Sequence, residues 1–170
     1  MVIRPIRPDE WRDLRDLRLR ALLDAPDAYG STFEDESADP DEAWQRRADH
    51  PERVMAVAVD EARGFVGMAS GGPAWEGLDG AGLFGMWVDP AVRGQGIGEA
   101  LIGVIASWAQ ASGYERIGLG VTIGNDAAAH LYERLGFEDT GLRYPLREGT
   151  DLTIRVLVTR LDDLTAYFEP

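Results

Sequence analysis

The sequence predicts a mixed α/β domain, and three observations support this prediction. The chain has 170 residues, which is near the usual size of one domain and long enough to bury a core. Short β-rich runs alternate with segments whose apolar residues recur at helical spacing. No internal repeat, low-complexity linker or shift in composition separates two units. We therefore expect a single domain over residues 1–170, ending in a short helical or disordered tail at 162–170.

Capping and helix-breaking residues mark the elements of the first half. Asp9 can cap a helix and Pro40 can open one, whereas Gly71, Gly72 and Pro73 are expected to interrupt a strand. A hairpin signal joins the two strands that precede this interruption. The expected elements are strand Val2–Ile6, helix Asp9–Leu23, loop Ala25–Ala38, helix Asp39–Ala48 and strands Arg53–Val59 and Phe65–Ser70.

The second half alternates strands and helices with longer apolar runs. Its main helix presents one buried face, formed by Ile97, Leu101, Val104, Ile105 and Trp108. The expected elements are strand Ala81–Val88, helix Gly96–Gly113, strand Arg116–Thr122, a helix opening near Asn125, and a final hairpin of Phe137–Leu146 and Leu152–Thr159.

The turn after Val88 is the most informative segment of the chain. Gly94, Gly96 and Gly98 alternate behind Arg93, and a helical pattern follows. Alternating glycines remove side chains from the turn, so successive backbone N–H groups can converge on an anion. The N-terminus of the following helix adds unpaired N–H groups and the positive end of its dipole, and Arg93 adds a permanent charge. The segment therefore predicts a cradle for a pyrophosphate.

Other glycine-rich turns fit this segment less well. A phosphate loop of NTPases needs Lys-Ser/Thr after its last glycine, whereas Gly98 is followed by Glu99 and Ala100. The dinucleotide fingerprint needs Gly-x-Gly-x-x-Gly, whereas these glycines are evenly spaced. A tight strand-to-helix connection that binds nothing is the remaining structural alternative.

A second pattern begins at Asn125. Either Asn125 or Asp126 can cap a helix, Leu131 and Leu135 lie on one of its faces, and Gly136 stands where a left-handed residue would end it. This helix follows the glycine turn with one predicted strand between them. The order and spacing of the two patterns are more specific than either pattern alone.

Together the two patterns resemble the GNAT superfamily of N-acetyltransferases. The first is similar to the family's acyl-CoA pyrophosphate motif, Arg-x-x-Gly-x-Gly, at Arg93, Gly96 and Gly98. The second is similar to the family's Asn-x-x-Ala-x-x-x-Tyr-x-x-x-Gly-Phe motif, at Asn125, Ala128, Tyr132, Gly136 and Phe137. The resemblance is strong over residues 83–137 and implies a mostly antiparallel central sheet flanked by helices.

The resemblance also implies a cofactor site. The family binds acetyl-CoA where two adjacent parallel strands splay apart, here the strand ending at Val88 and the strand Arg116–Thr122. Pantetheine amides would then pair with the free edge of Met86–Val88. The residues expected to bind the cofactor are Met86, Trp87, Val88, Arg93, Gly94, Gln95, Gly96, Ile97, Gly98, Glu99 and Asn125. Met86 and Trp87 have ordinary core packing or a wall of the acceptor pocket as alternative roles.

The implied reaction is direct attack of a neutral amine on the acyl thioester. By resemblance, Tyr132 is the general acid that protonates the leaving sulfur, and a backbone N–H near Val88 polarises the carbonyl. Several family members carry a glutamate five residues before the motif asparagine, where this chain has Gly120. Glu34 and Glu36 lie in the loop between the first two predicted helices, which in this family commonly lines the acceptor side. By resemblance they are the candidate bases or amine-binding groups, with solvated loop carboxylates as the alternative.

Composition limits the remaining classes. The chain has no cysteine and two isolated histidines, so we expect no disulfide and no metal site. Acidic residues outnumber basic ones by 30 to 17, which argues against a nucleic-acid partner. The acidic excess favours a cationic acceptor such as an amine, and a role in solubility alone is the alternative explanation. No apolar run is long enough to span a bilayer, so we expect no membrane association and a cytoplasmic location.

The sequence leaves several properties of the transferase open. The acceptor is a small-molecule, peptide or protein amine, and its determinants would lie on the loops at 25–38, 70–80 and 142–151. A homodimer is possible because the family often dimerises. A non-catalytic acyl-CoA-binding module is the first alternative function, and a nucleotide-binding regulatory domain, which would use only the glycine turn, is the second.

Overall fold

The computed structural model describes residues 1–168, which form a seven-stranded sheet with helices on both faces. The strands run in the spatial order β1-β2-β3-β4-β5-β7-β6, and only the β4–β5 pair is parallel. The mixed, mostly antiparallel sheet predicted from the sequence is confirmed. The strands are β1 (Val2–Pro5), β2 (Val54–Asp60), β3 (Gly64–Pro73), β4 (Ala81–Val88), β5 (Arg116–Thr122), β6 (Glu138–Pro145) and β7 (Thr153–Arg160).

Each face of the sheet carries its own hydrophobic core. Successive side chains of a strand point to opposite faces, so Val57 packs with the first helix while Ala56 and Ala58 pack with the fourth. None of the helices in the described part of the chain is long and apolar enough to cross a membrane. The helices are α1 (Trp11–Asp24), α2 (Phe33–Ser37), α3 (Asp41–Ala48), α4 (Ile97–Ala111), α5 (Asp126–Arg134) and α6 (Leu161–Phe168).

The loop expected at 25–38 and the tail expected at 162–170 both contain helices. The expected loop at 25–38 contains a 3₁₀ turn at Pro26–Ala28 and the helix α2, which Thr32 caps by accepting a hydrogen bond from the Asp35 N–H at 3.2 Å. The expected tail forms helix α6, which buries Leu161 and Leu164. Residues 169 and 170 lie outside the described residues.

The prediction that Gly71, Gly72 and Pro73 interrupt a strand was wrong, because β3 continues through Pro73. Gly71 pairs with Leu83 and Gly72 pairs with Gly82. A Cβ atom at Gly71 would lie 2.7 Å from Cγ2 of Ile105, so this glycine allows α4 to lie directly on the strand. Here glycine serves close packing rather than a turn.

The β4–β5 pair separates soon after it begins. Only Ala81 and Gly82 of β4 have partners on β5. Farther along, β4 contains an extra residue relative to β3, since Ser70 faces Phe84 but Met68 faces Trp87. Gly85, at this bulge, has a φ of +60°, a conformation that favours glycine. A bulge bends its strand, and the two strands therefore diverge into a V-shaped opening.

Candidate active site

A cleft of about 890 Å³ occupies the opening between β4 and β5. Both sequence patterns contribute to its walls, together with Asp24 at the end of α1 and residues of the segment 25–31 that follows it. Gln95 is exposed and is the one predicted cofactor-binding residue that does not line the cleft. The predicted residues that do line it are Met86, Trp87, Val88, Arg93, Gly94, Gly96, Ile97, Gly98, Glu99 and Asn125.

The glycine turn places the first turn of α4 at one end of this cleft. Gly94 and Gly96 have φ angles of +77° and +74°, and Gly96 is the N-cap of the helix. The first helical hydrogen bond runs from the Ala100 N–H to the Gly96 carbonyl, so the N–H groups of residues 97–99 precede it. A Cβ at Gly98 would lie 2.7 Å from Cε of Met86, so the helix starts close against β4. This end of the cleft suits an anion.

Arg93 lies at the cleft mouth in a fixed arrangement. Its Nε donates to the Val88 carbonyl at 2.8 Å, and its Nη2 donates to Oδ2 of Asp24 at 2.8 Å. The indole N–H of Trp87 donates to the same Asp24 oxygen at 2.9 Å. The Trp87 hydrogen bond, followed by that of Arg93, holds the pKa of Asp24 below its ordinary value. The Arg93 side chain is still 52% exposed and can meet a phosphate.

Asp24 was missed by the sequence analysis. It is the last residue of α1 and looks like any other acidic residue at a helix end. Its partners lie 63 and 69 residues farther along the chain, at Trp87 and Arg93. No local sequence pattern indicates such a contact.

Glu99 and Arg134 form an ion pair beside the anion-binding end. Glu99 lies in the first turn of α4, and its Oε1 accepts a hydrogen bond from Nη2 of Arg134 at 2.6 Å. A carboxylate at this position would repel a phosphate, and the neighbouring guanidinium offsets that charge. Both side chains line the cleft.

Tyr132 enters the cleft from α5, whose start is capped by the Asn125 side chain accepting from the Ala128 N–H at 3.3 Å. Tyr132 is buried, with 7% of its surface exposed, and its ring packs edge-on against Phe137. Among residues 1–168, nothing accepts or donates a hydrogen bond at its hydroxyl. Burial, and to a smaller extent Tyr29, raise the pKa of Tyr132 far above its ordinary value. The hydroxyl therefore stays protonated and can donate.

A second tyrosine, also missed from the sequence, covers the free edge of β4. The Tyr29 hydroxyl donates to the Met86 carbonyl at 3.2 Å, and burial raises its pKa to about 12. The Met86 and Val88 carbonyls are thus occupied by Tyr29 and Arg93. Because the Asp89 N–H bonds to Val66 on β3, strand alternation turns the Val88 N–H toward the cleft. The open edge therefore offers donors to a ligand.

The segment that carries Tyr29 is tied to distant parts of the chain. Thr122 Oγ1 donates to the Asp27 carbonyl at 2.7 Å, which links the segment to β5. The Arg147 guanidinium donates to the carbonyls of Pro26 and Tyr29 at 3.0 and 2.8 Å. The segment thus forms a fixed wall facing β4.

The structure does not bring the two candidate bases into the cleft. Glu34 is exposed on α2, outside the cleft lining. Glu36 is buried, and it accepts hydrogen bonds from Arg18 and Arg47. Burial alone would raise the pKa of Glu36, but the hydrogen bonds and charge of Arg18, helped by Arg47, hold it below the ordinary value. We therefore revise the expectation that these carboxylates face the acceptor.

The strand position expected to carry a glutamate is closed by packing. Gly120 lines the cleft, and a Cβ there would lie 2.7 Å from Cδ1 of Ile154 on β7. A longer side chain at this position requires Ile154 to move. Ile154 on β7 therefore occupies the space that a glutamate side chain at position 120 would need.

Residues 11–137 match the model of the acetyltransferase (GNAT) family, and the chain belongs to this family. An acetyltransferase of Sodalis glossinidius is 35% identical over 138 residues, which cover 81% of this chain and 87% of that protein. The ribosomal protein bS18-alanine N-acetyltransferase of Escherichia coli K12 is 38% identical over 77 residues, 44% of this chain. That alignment spans 52%, or about half, of the E. coli protein.

Solved structures of the family share the fold. A Salmonella typhimurium acetyltransferase, solved with its cofactor acetyl-CoA, superposes with a TM-score of 0.75 at 24% identity and covers 95% of this chain and 94% of its own. A GNAT-family acetyltransferase of Streptococcus pneumoniae gives a TM-score of 0.77 at 21% identity, covering 94% and 98%. The resemblance to the family drawn from the two sequence patterns is confirmed.

Proposed function

We propose that this protein is an acyl-CoA-dependent N-acetyltransferase that moves acetyl from acetyl-CoA to a primary amine. One observation carries the proposal: the N-terminus of α4, which begins after Gly96, and the unpaired hydroxyl of Tyr132 both lie in the cleft between the diverging strands β4 and β5. The first provides donors for the cofactor pyrophosphate. The second provides a proton at the point where the thioester would lie.

The reaction follows from these positions. The nitrogen of a neutral amine attacks the thioester carbonyl carbon while the Val88 N–H stabilises the developing oxyanion. The carbon–sulfur bond then breaks, the sulfur takes the proton of Tyr132, and the new amide nitrogen loses its extra proton to water. The tyrosinate regains a proton from solvent. The acceptor must enter as a free amine, because neither Glu34 nor Glu36 lines the cleft, where a base would have to act.

A non-catalytic acyl-CoA-binding module is the second candidate. The specific observation in its favour is Gly120, where a larger side chain would meet Ile154 rather than reach an acceptor. Such a module would bind the cofactor through the same cradle and release no thiol.

Two experiments test these candidates: calorimetric titration tests whether the cofactor binds, and an assay of thiol release tests whether its acetyl group is transferred. We expect saturable binding of acetyl-CoA and coenzyme A, and none of ATP or NAD. Thiol release from acetyl-CoA in a panel of amines then distinguishes the transferase from the binding module. A folded protein, free of copurified cofactor, that binds neither thioester nor thiol would contradict both candidates.

Replacing Arg134 by glutamine is expected to weaken acetyl-CoA binding about two- to fivefold, because Glu99 is then left uncompensated beside the pyrophosphate. Glu99→Gln should strengthen binding or leave it unchanged. Calorimetry at low ionic strength measures both effects, since salt screens exposed charges. Arg155→Gln is the matched control, because Arg155 pairs with Glu133 outside the cleft lining. Equal losses in the Arg134 and Arg155 variants would contradict the local electrostatic account.

A further inference from the structure

Arg18 is a charged group of the cleft that the proposed reaction does not use. Its side chain lines the cleft from α1 and is 14% exposed. Nε and Nη2 both donate to the Glu36 carboxylate, at 3.1 and 2.8 Å, and the guanidinium lies 4.3 Å from the centre of the Tyr29 ring. Glu36 and Tyr29 thus fix the guanidinium plane.

The third nitrogen of Arg18 is left without a partner. Nη1 is buried and makes no hydrogen bond within residues 1–168. Buried donors are nearly always paired, and an unpaired one calls for an explanation. A planar guanidinium with one free edge is suited to an anionic oxygen.

The position of Nη1 assigns it to the acceptor side of the cleft. It lies 3.7 Å from the place that a Cβ of Gly85 would occupy. Gly85 precedes Val88 on β4, whereas the glycine cradle follows it, so the two sites lie on opposite sides of the proposed oxyanion position. The bulge glycine leaves the space beside Nη1 free of a side chain.

The remaining charged residues of the cleft lining also favour an acceptor that carries an anionic group. Its two lining carboxylates in the described chain, Asp24 and Glu99, are each ion-paired, with Arg93 and Arg134. The partner of Arg18, Glu36, lies outside the lining. The acceptor side therefore presents one unpaired donor, Nη1 of Arg18, and no unpaired lining carboxylate to hold a second ammonium group.

We infer that the acceptor is a primary amine that also carries a carboxylate, and that this carboxylate accepts a hydrogen bond from the unpaired Nη1 of Arg18; the inference rests on the proposed transferase function. The carboxylate oxygen at Nη1 orients the amine toward the thioester carbon above the Gly85 bulge. A site built around such a bond discriminates strongly against an analogue that lacks the oxygen, because the donor is then left unpaired.

The test compares α-amino acids with the amines that remain after their decarboxylation, and with spermidine. Thiol release is measured at saturating acetyl-CoA and expressed per neutral amine, so that differences in amine pKa do not enter. We expect kcat/KM to be at least about tenfold higher for the carboxylate-bearing member of each pair, equivalent to about 1.4 kcal/mol. Equal values, or a preference for the decarboxylated amines or spermidine, overturn the inference.

A double variant tests the residue itself. Arg18→Met with Glu36→Gln removes both charges together, so that no buried carboxylate is left unpaired. We expect the preference for the carboxylate to disappear while calorimetry gives an unchanged acetyl-CoA affinity. Arg15→Met is the control, because Arg15 lies on the same helix and pairs with Asp41 outside the cleft lining. Retained preference in a folded double variant overturns the role of Arg18. If the double variant does not fold, the wild-type amine panel decides.

The experiments distinguish a failure of the proposed acceptor class from a failure of the proposed transferase function. Turnover of acetyl-CoA without preference for a carboxylate overturns the acceptor class and leaves the transferase function standing. Absence of acetyl-CoA binding, or of turnover with every amine, overturns both.

Discussion

Tyr132→Phe is expected to lower kcat about 100-fold and to leave the acetyl-CoA dissociation constant unchanged. The hydroxyl has no partner among residues 1–168, so its removal breaks no internal hydrogen bond and leaves the buried ring in place. What is lost is the proton delivered to the departing sulfur. Steady-state thiol release gives kcat, and calorimetry with acetyl-CoA gives the affinity.

The pH profile provides a second readout of the same residue. Burial raises the pKa of Tyr132, so the acid form persists above the ordinary tyrosine pKa of about 10. We expect kcat/KM to rise with pH as the acceptor amine loses its proton, without a fall near pH 10 from the loss of the acid. Tyr114→Phe is the control, since Tyr114 packs beside Trp108 outside the cleft lining. Full turnover in the Tyr132 variant would remove the general acid from the mechanism.

Gly96→Val is expected to weaken acetyl-CoA binding at least about tenfold, or about 1.4 kcal/mol. Gly96 has a φ of +74° with nothing within 4 Å of an added Cβ, so the effect comes from backbone conformation and not from a clash. A β-branched residue strongly disfavours this conformation. The N-terminus of α4 must then change its path, and its free N–H groups no longer converge. Calorimetry with acetyl-CoA and coenzyme A measures the loss.

The other end of the same helix offers a matched control. Gly113 has a φ of +83°, also with nothing within 4 Å of an added Cβ, and it follows α4. Gly113→Val should therefore reduce thermal stability about as much as Gly96→Val, without affecting the cofactor. Similar losses of affinity in the two variants would show that binding responds to general destabilisation, and the cradle assignment would be wrong.

The parts of the site that could be predicted from the sequence are those formed by residues close together in the chain. The glycine turn and the tyrosine helix each place their functional groups within one or two helical turns, so residue spacing alone defines their geometry. Asp24 and Tyr29 act across 63 and 57 residues of sequence, on Trp87 and Met86. No spacing rule relates residues at such separations.

Glu36 illustrates why exposure could not be judged from composition. Its neighbours in sequence are polar and suggest a solvated loop, yet α2 turns it inward against Arg18 and Arg47. A buried carboxylate with two guanidinium partners is a structural ion pair rather than a free base. In helix α2, residues two apart in sequence point to nearly opposite sides, so Glu34 is exposed while Glu36 is buried, a difference that a loop at 25–38 does not predict.

The short β4–β5 ladder has a mechanical consequence. Backbone pairing across this seam is limited to Ala81 with Ile117 and Gly82 with Gly118. The sheet thus consists of a four-stranded and a three-stranded half, joined by that seam, by the hydrophobic core under α4 and by the hydrogen bond from Thr122 to Asp27. A molecule lying along the open part of the seam touches both halves and resists their separation. We therefore expect ligand occupancy and rigidity to be coupled, so that the melting temperature rises with ligand concentration and amides on both halves exchange more slowly.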